Sequence, residues 1–250
     1  MKYQPEETRG LIMKKETATN TKAAVFEDIV MSRRTTRNFA EASPSKEEIE
    51  AVIKAGSLAP FAIIGAKDAH PLRKFIVLHK DSPERERVQR RLESKSKFIT
   101  DLIQFGFIRH IWRFFERFIA LKSIPLSLYE EAHFLLVQST ESKGHFLHIR
   151  EAPYYVIIAE KFRSPQVTNF LLRQSIAHCL QNMWLSATAQ GLAFQPVSAT
   201  KFLSADKKVC QILGINPKEW ELDGCLIGYP EKEVPRSKQV KLDEIMTWIQ

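Results

Sequence analysis

The chain has 250 residues, 44% of them hydrophobic and 26% charged, the make-up of a folded globular protein rather than a disordered or fibrous one. Its formal net charge of +8 is scattered among acidic residues with no DNA- or RNA-binding signature, which speaks against a nucleic-acid partner. Three cysteines with no CxxC pair rule out a disulfide scaffold, speak against a zinc ribbon and suit a reducing compartment.

Residues 1–22 are polar apart from Leu11-Ile12-Met13 and carry no secretory signal, so they read as a flexible tail or arm. With no apolar run long enough to span a bilayer, the cytoplasm is the expected location. Phe26, Ile29 and Val30 recur at helical spacing over residues 23–34. A capping box, Ser45-Lys46-Glu47-Glu48, opens a second helix with Ile49, Val52 and Ile53 on its apolar face and Gly56 as its stop. Phe75–Leu78 predicts a buried strand, residues 84–97 a charged helix, and 98–121 an aromatic helix, with a further helical stretch near Tyr129–Val137. Tyr154–Ala159 is rich in β-branched and aromatic residues and predicts a strand. The longest helix spans 169–190 and ends at Gly191, followed by extended chain over Leu192–Val197. A short helix over Ala205–Leu213 is expected to be capped by Ser204, a strand covers Gly224–Gly228, and a closing helix carries Leu242, Ile245, Met246 and Ile249. These elements give an α+β fold: one domain over 23–250, with a helical insertion at about 84–150.

Two basic clusters stand out. Arg33-Arg34-Thr35-Thr36-Arg37 sets three guanidinium groups and two hydroxyls at a helix end. Guanidinium forks match phosphate oxygens in pairs, so the cluster reads either as a phosphate site or as a solvated charged face. Pro235-Arg236-Ser237-Lys238 lies far away in sequence, just after Gly228-Tyr229-Pro230.

The order of these pieces resembles the nitroreductase family of FMN-dependent oxidoreductases. Four motifs carry the resemblance: Arg33-Arg34-Thr35-x-Arg37-x-Phe39; Ala59-Pro60; Ala187-x-x-x-Gly191-Leu192 with Pro196 five residues on; and Gly228-Tyr229-Pro230 with Pro235-Arg236-Ser237-Lys238. They cover roughly residues 23–80 and 150–240. The resemblance implies a central, mainly antiparallel sheet flanked by helices, in an intimate homodimer with flavin sites at the interface. It implies that Arg33, Arg34, Thr35 and Arg37 contact the FMN phosphate and ribityl chain, and that Arg236 and Lys238 close the phosphate clamp. Pro60, Phe61 and Ala62 would flank the flavin, and Pro196, Val197 and Ser198 would lay backbone over it near N5. It further implies a reductant such as NAD(P)H, a ping-pong reaction with a small-molecule acceptor, and no catalytic side chain.

The chain departs from the family at Ile64, which occupies the place of an asparagine that meets the flavin's pyrimidine edge. Backbone around Ala62–Ala66, or Lys67, would have to serve instead, and a non-enzymatic flavin-binding or storage protein is the alternative this motivates. Segment 84–122 carries net +5, and its aromatic core 98–121 reads as a helix at the dimer interface or roofing the flavin pocket. A roof of that kind suits an apolar or aromatic acceptor. The other reading of 98–121 is a helix on an anionic membrane surface, which would make the protein an interaction module. His145 and His148 lack a complete ligand set, so no metal site is expected. Adjacent His178 and Cys179 diverge on a helix, so Cys179 is expected to be a core residue.

Overall fold

The computed structural model describes residues 21–61, 72–104, 149, 151–161, 168–233, 235–236 and 241–249. Their elements, in chain order, are α1 (21–32), α2 (Lys46–Ser57), β1 (Arg73–His79), α3 (Pro83–Gln104), β2 (Tyr154–Lys161), α4 (Thr168–Ala189), β3 (Ala193–Pro196), a 3-10 helix (Ser198–Leu203), α5 (Lys207–Leu213), β4 (Trp220–Gly228) and α6 (Leu242–Ile245). The four strands form one antiparallel sheet in the order β1-β2-β4-β3. The expected helix-flanked, antiparallel α+β fold is what the chain forms.

Alternation along β2 explains the layering. Tyr155, Ile157 and Ala159 point to one face of the sheet, Val156 and Ile158 to the other, and all are buried. The first face packs against Val88 and Leu92 of α3, Leu203 of the 3-10 helix, and Val209 and Leu213 of α5. The second packs against Ile49 and Val52 of α2 and Ile176, Cys179 and Met183 of α4. The sheet therefore lies between two helix layers, and its central strands are apolar on both sides.

Local chemistry fixes the element ends, with some corrections to expectation. The capping box forms: Glu48 N–H donates to Ser45 Oγ (3.2 Å) and Ser45 N–H to Glu48 Oε2 (2.7 Å). Gly56 does not stop α2 but lies inside it. A Cβ there would sit 2.5 Å from Met183 Cγ and 3.0 Å from Cys179 Sγ, so the residue's smallness lets α2 and α4 approach. Asp206, not Ser204, caps α5, because its Oδ1 accepts from the N–H groups of Lys208 (3.1 Å) and Val209 (3.2 Å). Gly214 ends α5 at φ 62°. Residues 84–97 and 98–104 form one helix rather than two, and the closing helix shortens to Leu242–Ile245. The remainder of the aromatic segment, Tyr129–Val137, His145 and His148 lie outside the described residues.

β4 begins four residues earlier than expected, because Glu221 and Asp223 fall on the face toward α4 while Trp220 and Leu222 enter the opposite core. Asp223 accepts the Gly224 N–H (2.8 Å). Burial pushes its carboxyl up to about 7, against the pull of the Gly224 N–H and of Lys201. Its folded pKa exceeds its unfolded one, so this group favours folding at low pH and loses that contribution as pH rises from about 4 to about 7. In Asp223→Asn this component of the pH dependence should be absent. Denaturation midpoints at pH 5 and pH 8 would then differ less than in the parent, and an unchanged difference would refute the assignment.

Among the described residues, no helix is long and apolar enough to cross a membrane. Cys179, Cys210 and Cys225 are free and buried. Burial pushes the Cys179 thiol up to about 12, which suits a core residue rather than a nucleophile.

Candidate functional site

The first basic cluster runs off the C-terminal end of α1, with Arg33 N–H donating to Ile29 O (3.1 Å). From there the chain lies alongside β3, one of the sheet's two edge strands. Thr35 bridges Phe194 in parallel, and Thr36 N–H donates to Phe194 O (3.1 Å). Two residues past Phe194 begins the segment Pro196, Val197, Ser198, so the edge strand joins the first motif to the third. Val197 is buried, Pro196 half-buried and Ser198 exposed.

The same segment then meets the end of β4. Phe39 bridges Pro230, Ala40 N–H donates to Tyr229 O (2.9 Å), and Glu231 N–H donates to Asn38 O (3.3 Å). Tyr229 donates its hydroxyl to the Glu48 carboxylate (3.0 Å to each oxygen), which ties the turn to the α2 cap. Arg236 reaches back to Asp28 of α1 at 2.6 Å. Arg33 and Arg236, about 200 residues apart in sequence, thus meet toward one end of α1. Arg33 is half-buried, whereas Arg34, Thr35, Arg37 and Arg236 are exposed. Lys238 lies outside the described residues.

Sequence reasoning missed Trp184. Its spacing in α4 marked it only as part of the apolar face, yet its indole does three things at this site. It carries the Arg33 guanidinium 4.2 Å above its ring, donates Nε1–H to Arg34 O (3.2 Å), and stacks on Phe194 (5.4 Å between centroids). No local signal separates such a tryptophan from a core one, because the partners come from the segment just after α1 and from β3.

Pro60 and Phe61 are held elsewhere, by a buried ion pair. Arg73 Nε donates to Glu160 Oε1 (2.6 Å), and its other nitrogens donate to Ala59 O (3.0 Å), Pro60 O (3.2 Å) and Ser175 Oγ (2.9 Å). The Arg73 guanidinium also lies 5.3 Å from the Phe61 ring centroid. Burial raises the Glu160 carboxyl, against the pull of Arg73 and Ser175. Ser175 and Trp184 are nine residues apart on α4, or about 13 Å along the axis. One chain therefore does not bring Pro60 and Phe61 into the arginine cluster. Ala62, Ile64 and Lys67 lie outside the described residues.

The arginine cluster offers guanidinium forks, a threonine hydroxyl and exposed backbone, a donor set that fits a phosphate monoester. Beside it, exposed Ser198 opens the 3-10 helix. The described residues show no cluster of three metal-ligating side chains.

A helix-sheet-helix sandwich with a phosphate-type donor set beside its edge strand narrows the class of protein considerably. The family model for the nitroreductase family matches residues 30–229, and the chain belongs to that family. Solved structures agree on the fold. A Bacteroides fragilis nitroreductase with bound FMN superposes with a TM-score of 0.58 at 18% identity, covering 90% of this chain and 98% of that one. An oxidised iodotyrosine deiodinase bound to FMN and 3-iodo-L-tyrosine gives 0.59 at 17% identity, over 90% and 99% of the two chains. The Vibrio harveyi NADPH:FMN oxidoreductase complexed with NAD+ gives 0.54 at 13% identity, over 90% and 77%. Among curated protein sequences none matches the chain.

Proposed function

We propose that this chain is an FMN-dependent oxidoreductase that takes reducing equivalents from NAD(P)H and passes them to an apolar or aromatic small molecule in a ping-pong cycle. The observation that carries the reading is the pairing of residues 35–36 with Phe194, which sets the arginine cluster beside Pro196–Ser198. Two proteins of similar fold bind FMN and a third is an NADPH:FMN oxidoreductase, which supports the reading.

Bound FMN would supply the redox-active ring. Arg33, Arg34, Thr35, Arg37 and Arg236, with Lys238, hold the phosphate. Pro196, Val197 and Ser198 would present backbone to the ring, and Pro60, Phe61 and Ala62, which one chain does not bring into the arginine cluster, would shape its other boundary from the second protomer of a homodimer. The residues bind, orient and exclude water; no side chain is required as a nucleophile.

The working unit in this proposal is a homodimer in the cytoplasm. Val25 (54% exposed), Phe26 (58%) and Val30 (39%) leave α1 with an uncovered apolar face, as do Trp248 (79%) and Ile249 (94%) near the C-terminus. Apolar faces of this kind mark association surfaces.

The visible spectrum of the purified protein, with its chromophore identified by mass, tests the reading. Flavin bands from FMN are expected, with bleaching by NADH or NADPH. Arg33→Ala combined with Arg37→Ala should purify without flavin. A fully loaded double variant, or a colourless parent that takes up no added FMN, would defeat the assignment. A yellow parent that no reductant bleaches would favour flavin storage, the reading that Ile64 motivates.

A further inference from the structure

We propose that Tyr155 and Thr200 form a buried hydroxyl relay that polarises the peptide between Val197 and Ser198 and so strengthens the Ser198 N–H as a donor to the flavin. The inference rests on the FMN reading above and concerns positioning residues that act through that peptide.

The direction of the relay follows from its hydrogens. Thr200 Oγ1 donates to Val197 O at 2.5 Å, and the Tyr155 hydroxyl lies 2.6 Å from Thr200 Oγ1. A threonine hydroxyl has one hydrogen, and it is committed to Val197 O, so the tyrosine is the donor in the other bond. Both residues are fully buried. Burial raises the Tyr155 hydroxyl well above its ordinary value, so it keeps the hydrogen it must give. Val197 O also accepts the Thr200 N–H (3.0 Å), while Val197 N–H is tied to Gly224 O (2.7 Å). The carbonyl thus receives two donors and the residue is fixed from both sides.

Two neighbours are arranged around this chain of bonds. A Cβ on Gly224 would lie 2.7 Å from Tyr155 Cε2 and 2.8 Å from Thr200 Oγ1, so that position must be bare for the relay to close. On α3, Arg85 is buried with its guanidinium 4.8 Å from the Tyr155 ring centroid. It donates to Ile149 O and Ala152 O, and among the described residues its Nε and Nη1 have no hydrogen-bond partner. A buried cation beside the ring makes the phenol a stronger donor. Hydrogen bonds in series polarise one another at low dielectric, so each strengthens the next. Their terminus is the carbonyl of the peptide whose N–H belongs to exposed Ser198. Reduction adds electron density to the ring, and a stronger fixed donor beside it stabilises the reduced form.

The test is the midpoint potential of bound FMN, measured alongside FMN affinity and thermal stability. Thr200→Val keeps the shape and removes the hydroxyl; its potential should be more negative than the parent's, with FMN affinity within about threefold. Thr200→Ser should restore the parent value. Tyr155→Phe, which leaves Thr200 in place, should shift the potential in the same direction by less. A role confined to packing would change the melting temperature and leave the potential alone. An unshifted potential in loaded Thr200→Val overturns the relay, as does a shift that serine fails to reverse. Should Thr200→Val not fold, an unshifted Tyr155→Phe overturns it equally. A parent that binds no FMN defeats the functional reading and the relay together, whereas a loaded parent with unshifted variants defeats the relay alone.

Discussion

Arg73→Met should destabilise the fold by about 3–5 kcal/mol, the cost of breaking a buried ion pair by removing one partner. Arg73 and Glu160 expose 3% and 0% of their side chains, so water cannot replace the lost partner. Truncation leaves the Glu160 carboxyl without its guanidinium and the Ala59 carbonyl without its donor, and Ser175 Oγ, with one hydrogen to give, is shared between Glu160 Oε1 and Pro60 O. Among the described residues Glu160 Oε2 has no hydrogen-bond partner, so the Ser175 hydroxyl on Oε1 is the compensation that remains. Urea denaturation gives the measurement. Replacing both partners, as in Arg73→Met with Glu160→Leu, should recover part of the loss, since no buried charge is then stranded. Recovery should stay incomplete because the α2 end still lacks its donor. A double variant no more stable than Arg73→Met would show that the carbonyl clamp, not the stranded carboxylate, dominates.

Gly228→Ala should cost about 1–3 kcal/mol or more, the range for forcing extra volume into a close-packed site. Its Cβ would lie 2.7 Å from Pro153 Cδ and 2.9 Å from Phe39 Cδ1. The proline ring is rigid and sits at the start of β2, so Phe39 must yield. Phe39 is the residue that bridges Pro230 and anchors the arginine segment. The variant should therefore lose flavin as well as stability, seen as a lower denaturation midpoint and reduced FMN occupancy in the same preparation. Full occupancy at lowered stability would separate the anchor from the site.

Much of this fold was legible in the sequence because local rules and tertiary contacts agree. The apolar run of β2 and the three-and-four spacing of α4 report burial directly, and the Ser45 capping box closes within three residues. Gly56 misled because a glycine near a helix end reads as a stop, whereas here its partner is Met183 across the interface. The early start of β4 was hidden by Glu221 and Asp223, polar residues in a strand whose alternate positions enter the core. For the site, motif order pointed to the arginine cluster, and the structure joins it to β3 and to the end of β4. Arg73, Arg85 and Trp184 escaped notice for a shared reason. An arginine or a tryptophan in a sequence does not show whether its partners are water or carbonyls dozens of residues away. Those partners exist only after the sheet has formed.

The pairing of residues 35–36 with β3 has a consequence for solubility. β3 is an edge strand, and edges with unpaired backbone groups are templates for strand addition by other chains. The segment that carries the arginines covers part of that edge, and its charge repels a second copy of itself. Changes that free this segment should therefore do more than weaken ligand binding. They should uncover Ala193–Pro196 and turn a binding defect into an aggregation defect, so that loss of colour and loss of soluble yield appear together.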